Sequence, residues 1–215
     1  MSQFPRRQFL KSSIALTAGL SSLPFLSQAS DEAPADEGLY IIGPMKGYSP
    51  QIGTIVSMLN YNRQTIIQVT KGMTMEQIDF LLDDKANTIA SLIMHLGAVE
   101  KFYQINSFEG RNELNAEESK LWSDALELGD LGRKNIKGKD LKYYIDLITE
   151  VREKTLQEFK KRDDKWLLAV DPKFSDRDKF NTYWKWFHVC EHESNHRGQI
   201  SFLKSRLPGA KASNE

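Results

Sequence analysis

Four histidines stand in this 215-residue chain, and three of them, His188, His192 and His196, follow one another at intervals of four. On an α-helix, neighbours in such a series differ by about 40° around the axis and about 6 Å along it. Two imidazoles so placed can chelate one divalent ion, an arrangement that recurs in helical zinc sites. The outer two of the series are about 12 Å apart along the axis, so one ion takes a pair and draws a further ligand from elsewhere. His95 is the candidate. Projected on a helix, it shares a face with Leu92, Val99 and Phe102, while His192 and His196 share one with Val189, Gln199, Ile200 and Leu203. Both faces read as inward, and inward histidines on separate helices can meet in the core of a bundle.

The neighbouring residues are less telling. Cys190 projects about 160° from His192 and is not expected as a ligand; as the sole cysteine it also excludes an intramolecular disulfide. Glu100 and Glu193 are candidate acids or bases, but both project more than about 90° from the histidines of their helices. That favours solvated or supporting roles for them. Trp184, Trp186, Phe187, Phe102 and Tyr103 either wall a substrate pocket or fill the core. Arg197 either meets an anionic substrate or makes a structural ion pair. The charged mixture from Glu150 to Asp164 reads as a solvated helix face.

These side chains need helices to carry them, and from Ser49 onward the pattern is helical almost throughout. Ser49-Pro50 reads as an N-cap and first helical residue, followed by Ile52, Ile55, Val56, Leu59, Ile66 and Ile67 up to about Thr70, with Gly72 as the stop. A short segment spans Thr74 to Leu82. Asn87 is placed to cap a helix from Thr88 to Ser107, Asn115 a shorter one through Leu126, and Asp140 a long one through about Lys161. The last helix runs from about Asp178 to Leu207 and stops at Pro208-Gly209. Lys165 to Val170 reads as loop. Four long helices with short elements between them predict an all-α four-helix bundle over residues 49–208, followed by a tail at 209–215.

Balanced charge, 29 basic against 29 acidic residues with 40% apolar residues, permits a packed core and argues against disorder. Residues 1–29 are set apart: Arg6, Arg7 and Lys11 precede an apolar, serine-rich stretch from Ser12 to Leu26 that ends in Ser27-Gln28-Ala29. This is the plan of a secretory signal cleaved after Ala29, leaving no stable membrane span in the mature protein; the alternative reading is an uncleaved membrane anchor, for which the stretch is short and rich in serine. Arg6-Arg7-Gln8-Phe9-Leu10-Lys11 resembles the twin-arginine signature. That resemblance implies the twin-arginine translocon as a partner during export, passage of a folded protein that can carry its metal, and a periplasmic destination. Without these residues 26 basic and 29 acidic side chains remain, with no electrostatic footprint for nucleic acid. Residues 30–48, rich in acids, Ala, Pro and Gly, read as a linker whose Leu39 to Ile42 lie against the domain.

One string is recognisable. His192-Glu193-Ser194-Asn195-His196-Arg197-Gly198-Gln199 resembles the closing motif of the DinB-like (YfiT-like) superfamily of metalloenzymes, and Ser91-Leu92-Ile93-Met94-His95-Leu96 is similar to its single-histidine motif. The resemblance covers about Ser49 to Leu207. It implies a four-helix bundle with a divalent metal, zinc or nickel, on His95, His192 and His196, and with His188 flanking. It also implies a homodimer, with no interface fixed by the residues. Characterised members of that family include thiol-dependent transferases and isomerases.

Two functions follow. The first is an exported metal-dependent enzyme of transferase or hydrolase type, in which three protein ligands leave a coordination position open for water or a thiolate. Its small-molecule substrate is not legible in the sequence. The second is a non-catalytic metal-binding or scaffold bundle stabilised by its ion, motivated by the lack of a clear acid or base beside the ligands.

Overall fold

The computed structural model describes residues 38–175 and 177–211. The expected signal segment at 1–29, residues 30–37 of the expected linker and residues 212–215 lie outside the described residues. The elements run α1 (Pro50–Thr70), α2 (Met75–Ile78), α3 (Ile89–Glu109), α4 (Ala116–Glu127), α5 (Gly129–Asn135), α6 (Leu141–Phe159), α7 (Asp164–Leu168), β1 (Val170–Asp171), β2 (Phe180–Asn181) and α8 (Thr182–Ser205). The four long helices α1, α3, α6 and α8 form the bundle. Each packs on two of the others in the cyclic order α1–α8–α3–α6, so α1 faces α3 across one diagonal and α6 faces α8 across the other. No helix among the described residues is long and apolar enough to cross a membrane.

Helix starts show how local chemistry sets these elements. Asp140 and Asn115 cap α6 and α4 as expected, and Asn115 forms a reciprocal capping box with Glu118. At α1 the residue before Pro50 is Ser49, but its hydroxyl does not cap. It donates instead to Asp164 Oδ1 at 2.5 Å, and that carboxylate accepts from the backbone N–H groups of Gln51 and Ile52. An anion from α7 thus occupies the positive end of α1. Thr88, not Asn87, caps α3 through the Ser91 N–H; Asn87 Oδ1 accepts from Gly129 N and ties the α4–α5 junction to this corner. The expected loop at 165–170 is a short helix and the start of β1. β1 pairs antiparallel with β2 in the register Val170↔Asn181, so the last helix begins at Thr182, under an Asn181 cap, instead of near Asp178.

The segment that lies on the bundle is 43–48 more than 39–42. Gly43 N donates to Ser57 Oγ, and a Cβ on Gly53 would overlap the Met45 backbone. Tyr40, Ile41 and Ile42 are exposed.

At mid-height the core holds a layer of charge with one residue from each bundle helix. Arg63 of α1 reaches Glu100 of α3 at 2.9 Å across the diagonal and Glu193 of α8 at 2.6 Å. Arg152 of α6 reaches Glu100 at 2.7 Å and Glu193 at 3.1 Å. The two guanidinium groups also donate to the carbonyls of Ile148 and Leu59, and Thr155 donates to Glu100. All four side chains are buried. Two apolar clusters lie on either side. One is built around Ile66, Leu92, Leu96, Ile148 and Ile200, the other around Ile52, Leu59, Tyr103, Phe159 and Trp186. Glu100 and Glu193 are therefore not solvated, because α3 is covered around most of its circumference and α8 has neighbours on two sides. Arg152 likewise departs from the solvated face expected for residues 150–164.

Candidate metal centre

The histidines lie in the first of these clusters, about one helical turn from the charged layer. His95 on α3 is flanked by Leu92 and Leu96, and His196 on α8 precedes Ile200; both imidazoles are buried, and His192 is partly so. Across the α3–α8 contact the three rings converge. His95 Nε2 stands 3.1 Å from His192 Nε2, and His196 Nε2 stands 3.0 Å from the same atom. Ligand atoms of all three lie within 4.8 Å of one another. Imidazole nitrogens bonded tetrahedrally to one zinc ion at about 2.0–2.1 Å would stand roughly 3.3–3.4 Å apart. The rings are thus within a few tenths of an ångström of that spacing at two of their contacts.

The protons of two rings are assigned by their outer partners. His95 Nδ1 lies 2.7 Å from the Ala125 carbonyl, which can only accept. His196 Nδ1 lies 3.1 Å from Gln199 Oε1, and Gln199 Nε2 in turn donates to Asn195 Oδ1. Both rings therefore carry hydrogen on Nδ1 and present an Nε2 lone pair to the centre. Such outer hydrogen bonds orient metal-ligating histidines and fix their tautomers.

Electrostatics agree with the geometry. Burial pushes His95 down to about 4, the carbonyl bond opposing it and the His196 charge adding to it. Burial and the neighbouring imidazoles push His192 down to about 3. His196 is lowered by burial as well, with its bond to Gln199 acting the other way. Three neutral imidazoles at neutral pH are the form in which histidine binds a metal.

The other residues singled out by sequence fall into place around this centre. His188 is not part of the convergent set: its ring centroid is 5.7 Å from that of His192, and its Nδ1 bonds Glu191. It stacks on Trp184 at 5.1 Å and meets the edge of Tyr103, so these two aromatics flank the site on the His188 side. Trp186 is core, wholly buried against Phe159 and Phe108, and Phe187 is exposed. Cys190 is buried in the second cluster, where desolvation raises its thiol to about 12; it is neither ligand nor nucleophile at neutral pH. Arg197 makes no ion pair among the described residues. It donates to Thr65 Oγ1 at 3.1 Å and lies over the Tyr61 ring, tying α8 to α1.

Sequence reasoning missed Arg63 and Arg152. The signal was present: each stands where the apolar stripe of its helix calls for a hydrophobic residue, four after Leu59 and four after Ile148. A charge at such a position, matched by Glu100 four after Leu96 and Glu193 four after Val189, marks a buried network.

Comparison with known proteins follows the same lines. A family model described as mycothiol-S-transferase matches residues 54–209, which is most of the chain and includes all four histidines. No curated protein matches it.

Proposed function

The chain belongs to the mycothiol-S-transferase family, a branch of the DinB-like superfamily, and from that premise we propose that it is a metal-dependent transferase with a thiol as nucleophile. His95, His192 and His196 are its metal ligands. The observation that carries the reading is the meeting of three Nε2 atoms, two of them with lone pairs fixed inward by Nδ1–H bonds.

His95, His192 and His196 would hold a divalent ion, zinc or nickel being the candidates, which would supply Lewis acidity to a thiol or water. The protein's own part is to hold three imidazoles neutral and oriented, so that no protein cation repels the ion. Ala125 and Gln199 do this for two of them, and the apolar cluster around Leu92, Leu96 and Ile200 excludes water behind the rings. Trp184 and Tyr103 form the wall on the His188 side. In the transfer itself the thiol sulfur bonds to an electrophilic carbon as the bond from that carbon to its leaving group breaks. The leaving group departs with the electron pair, and the thiol proton passes to solvent.

Incubating metal-replete protein with mycothiol and 2-chloroacetophenone, and measuring the thioether and released chloride together, tests this reading. Equal amounts of both are expected, with loss on chelation and recovery on adding the ion. Chloride release without thioether would assign the site to hydrolysis, and release of neither by folded, metal-replete protein would favour the scaffold reading.

We further propose export. The paired arginines at Arg6 and Arg7 and the small residues at Ser27 and Ala29 support a folded, metal-loaded passenger delivered to the periplasm. The intact mass of protein from a periplasmic fraction is expected to begin at Ser30; a full-length chain confined to the cytoplasm would overturn it.

A further inference from the structure

A buried network of ion pairs is a weak source of stability, and apolar residues of similar volume often replace one without loss. What such a network can supply is a single arrangement of the helices that carry it. In the charged layer of this bundle the signs are sorted by helix. Both carboxylates stand on the helices that bear the converging histidines, Glu100 on α3 and Glu193 on α8, while the guanidinium groups come from α1 and α6. The carboxylates are joined through the same pair of oxygens twice over. Arg63 Nη2 lies 2.9 Å from Glu100 Oε2 and 2.6 Å from Glu193 Oε1, and Arg152 Nη2 lies 3.0 Å and 3.1 Å from those two atoms. Nitrogen and oxygen thus alternate around a closed ring that links α3 to α8. Each arginine is also tied to the backbone of the other's helix, Arg63 to the Ile148 carbonyl and Arg152 to the Leu59 carbonyl, so neither is free to follow a carboxylate that slides.

The three rings meet across this same pair of helices. Glu193 directly follows His192, and Glu100 stands five residues after His95, about 7.5 Å along α3. A slip of one residue along either axis would move a ring by about 1.5 Å, whereas metal–ligand distances hold to within about 0.2 Å. Apolar faces set such a register loosely, because cores lose uniqueness of packing before they lose stability. The demand is greatest at His192. Outer hydrogen bonds orient His95 and His196, but His192 Nδ1 has no partner among the described residues. Its ring is therefore placed by α8 itself and by the two neighbouring imidazoles.

We propose that Arg63, Glu100, Arg152 and Glu193 are positioning residues for the metal centre: the layer fixes α3 against α8 at the one register in which His95 meets His192 and His196. Its consequence for an ion rests on the metal-binding reading of the three histidines, whereas the register of the helices does not.

The test compares wild type with three variants. One combines Arg63→Met, Glu100→Leu, Arg152→Met and Glu193→Leu; the second is Arg152→Lys; the third is Leu167→Ala, a truncation in the apolar cluster away from the histidines. Zinc affinity is measured by competition with a chromophoric chelator and Tm by calorimetry. In metal-free protein, nuclear Overhauser spectroscopy reads the contact between the His95 and His192 rings. The combined variant is expected to keep or raise the metal-free Tm, to lose ring contact, and to bind zinc at least about tenfold more weakly, as when the outer support of a ligand is removed. Arg152→Lys retains the charge but offers one nitrogen where the guanidinium uses three, and is expected to lose affinity in the same direction. Leu167→Ala is expected to lower Tm with zinc affinity unchanged. Wild-type affinity or undiminished ring contact in the folded combined variant overturns the proposal; should that variant not fold, wild-type affinity in Arg152→Lys overturns it. An equal loss of affinity in Leu167→Ala overturns it as well, since affinity would then follow stability alone. If ring contact changes as described but wild type takes up neither zinc nor nickel, the positioning role stands and the metal reading falls.

Discussion

Replacing Glu100 by alanine is expected to destabilise the fold by about 3–5 kcal/mol, the usual cost of removing one partner from a buried ion pair. At roughly 2–4 °C of Tm per kcal/mol for a domain of this size, calorimetry should show a fall of about 6–20 °C. The reason is what the variant leaves behind. Arg63 and Arg152 are both buried and would share only Glu193, whose second oxygen already lacks a hydrogen-bond partner among the described residues. An uncompensated guanidinium in an apolar core cannot shed its proton, so the energy appears as unfolding. The same layer ties stability to acid. Burial alone would raise the Glu100 carboxyl, but Arg152 and Arg63 outweigh it and hold it below its ordinary 4.5. Its contribution is therefore complete above pH 4.5 and is lost as the pH falls through the lowered folded value. Replacing all four charged residues together by apolar residues of similar volume is expected to leave stability unchanged or raise it, since desolvating four charges consumes most of what their attraction supplies. A Glu100→Ala variant as stable as wild type would show that the layer is not closed in solution.

His196→Ala is expected to lose its ion while staying folded. The residue supplies one of three nitrogens, and its removal leaves two rings from different helices, His95 and His192, which make a poor site for any divalent metal. Even substitution of a residue that only supports a ligand lowers affinity about 10–100-fold; loss of the ligand itself should exceed about 100-fold. Gln199→Ala supplies the graded comparison, because it removes the acceptor that fixes the His196 tautomer and leaves all three nitrogens in place. The expected order of metal affinity is wild type, then Gln199→Ala, then His196→Ala, with thioether formation following the same order. The fold has little reason to fail with either change. His196 sits at the edge of the first apolar cluster, and among the described residues its side chain hydrogen-bonds only with Gln199 and His192. A His196→Ala protein that binds one equivalent of metal as tightly as wild type would remove this residue from the ligand set.

Much of this centre could be read from residue spacing. The 3.6-residue period of Leu92, His95 and Val99, and of Val189, His192, His196 and Ile200, states which faces turn inward, and helices that bury those faces must bring the rings together. Glu100 and Glu193 were misjudged by the same periodicity, since an angle measured from the histidines describes one neighbouring helix and says nothing of the others. Only the cyclic arrangement of α1, α8, α3 and α6 shows that each faces two partners and a diagonal. Long-range caps were likewise invisible. Asp164 meets the start of α1 from 113 positions away in the sequence, and no local pattern announces that. Near Asp178 the helix pattern extends too far because Phe180 and Asn181 suit a helix but are taken by the pairing with β1.

X-ray absorption spectroscopy of tag-free, metal-replete protein, compared with a His95→Ala variant, addresses the centre most directly. The expected result is one divalent ion per chain with three imidazole nitrogens at about 2.0–2.1 Å, reduced to two or to no bound ion in the variant. An imidazole count that is the same in both proteins, or wild-type protein that takes up no ion when supplied with zinc or nickel, would contradict a three-histidine metal centre.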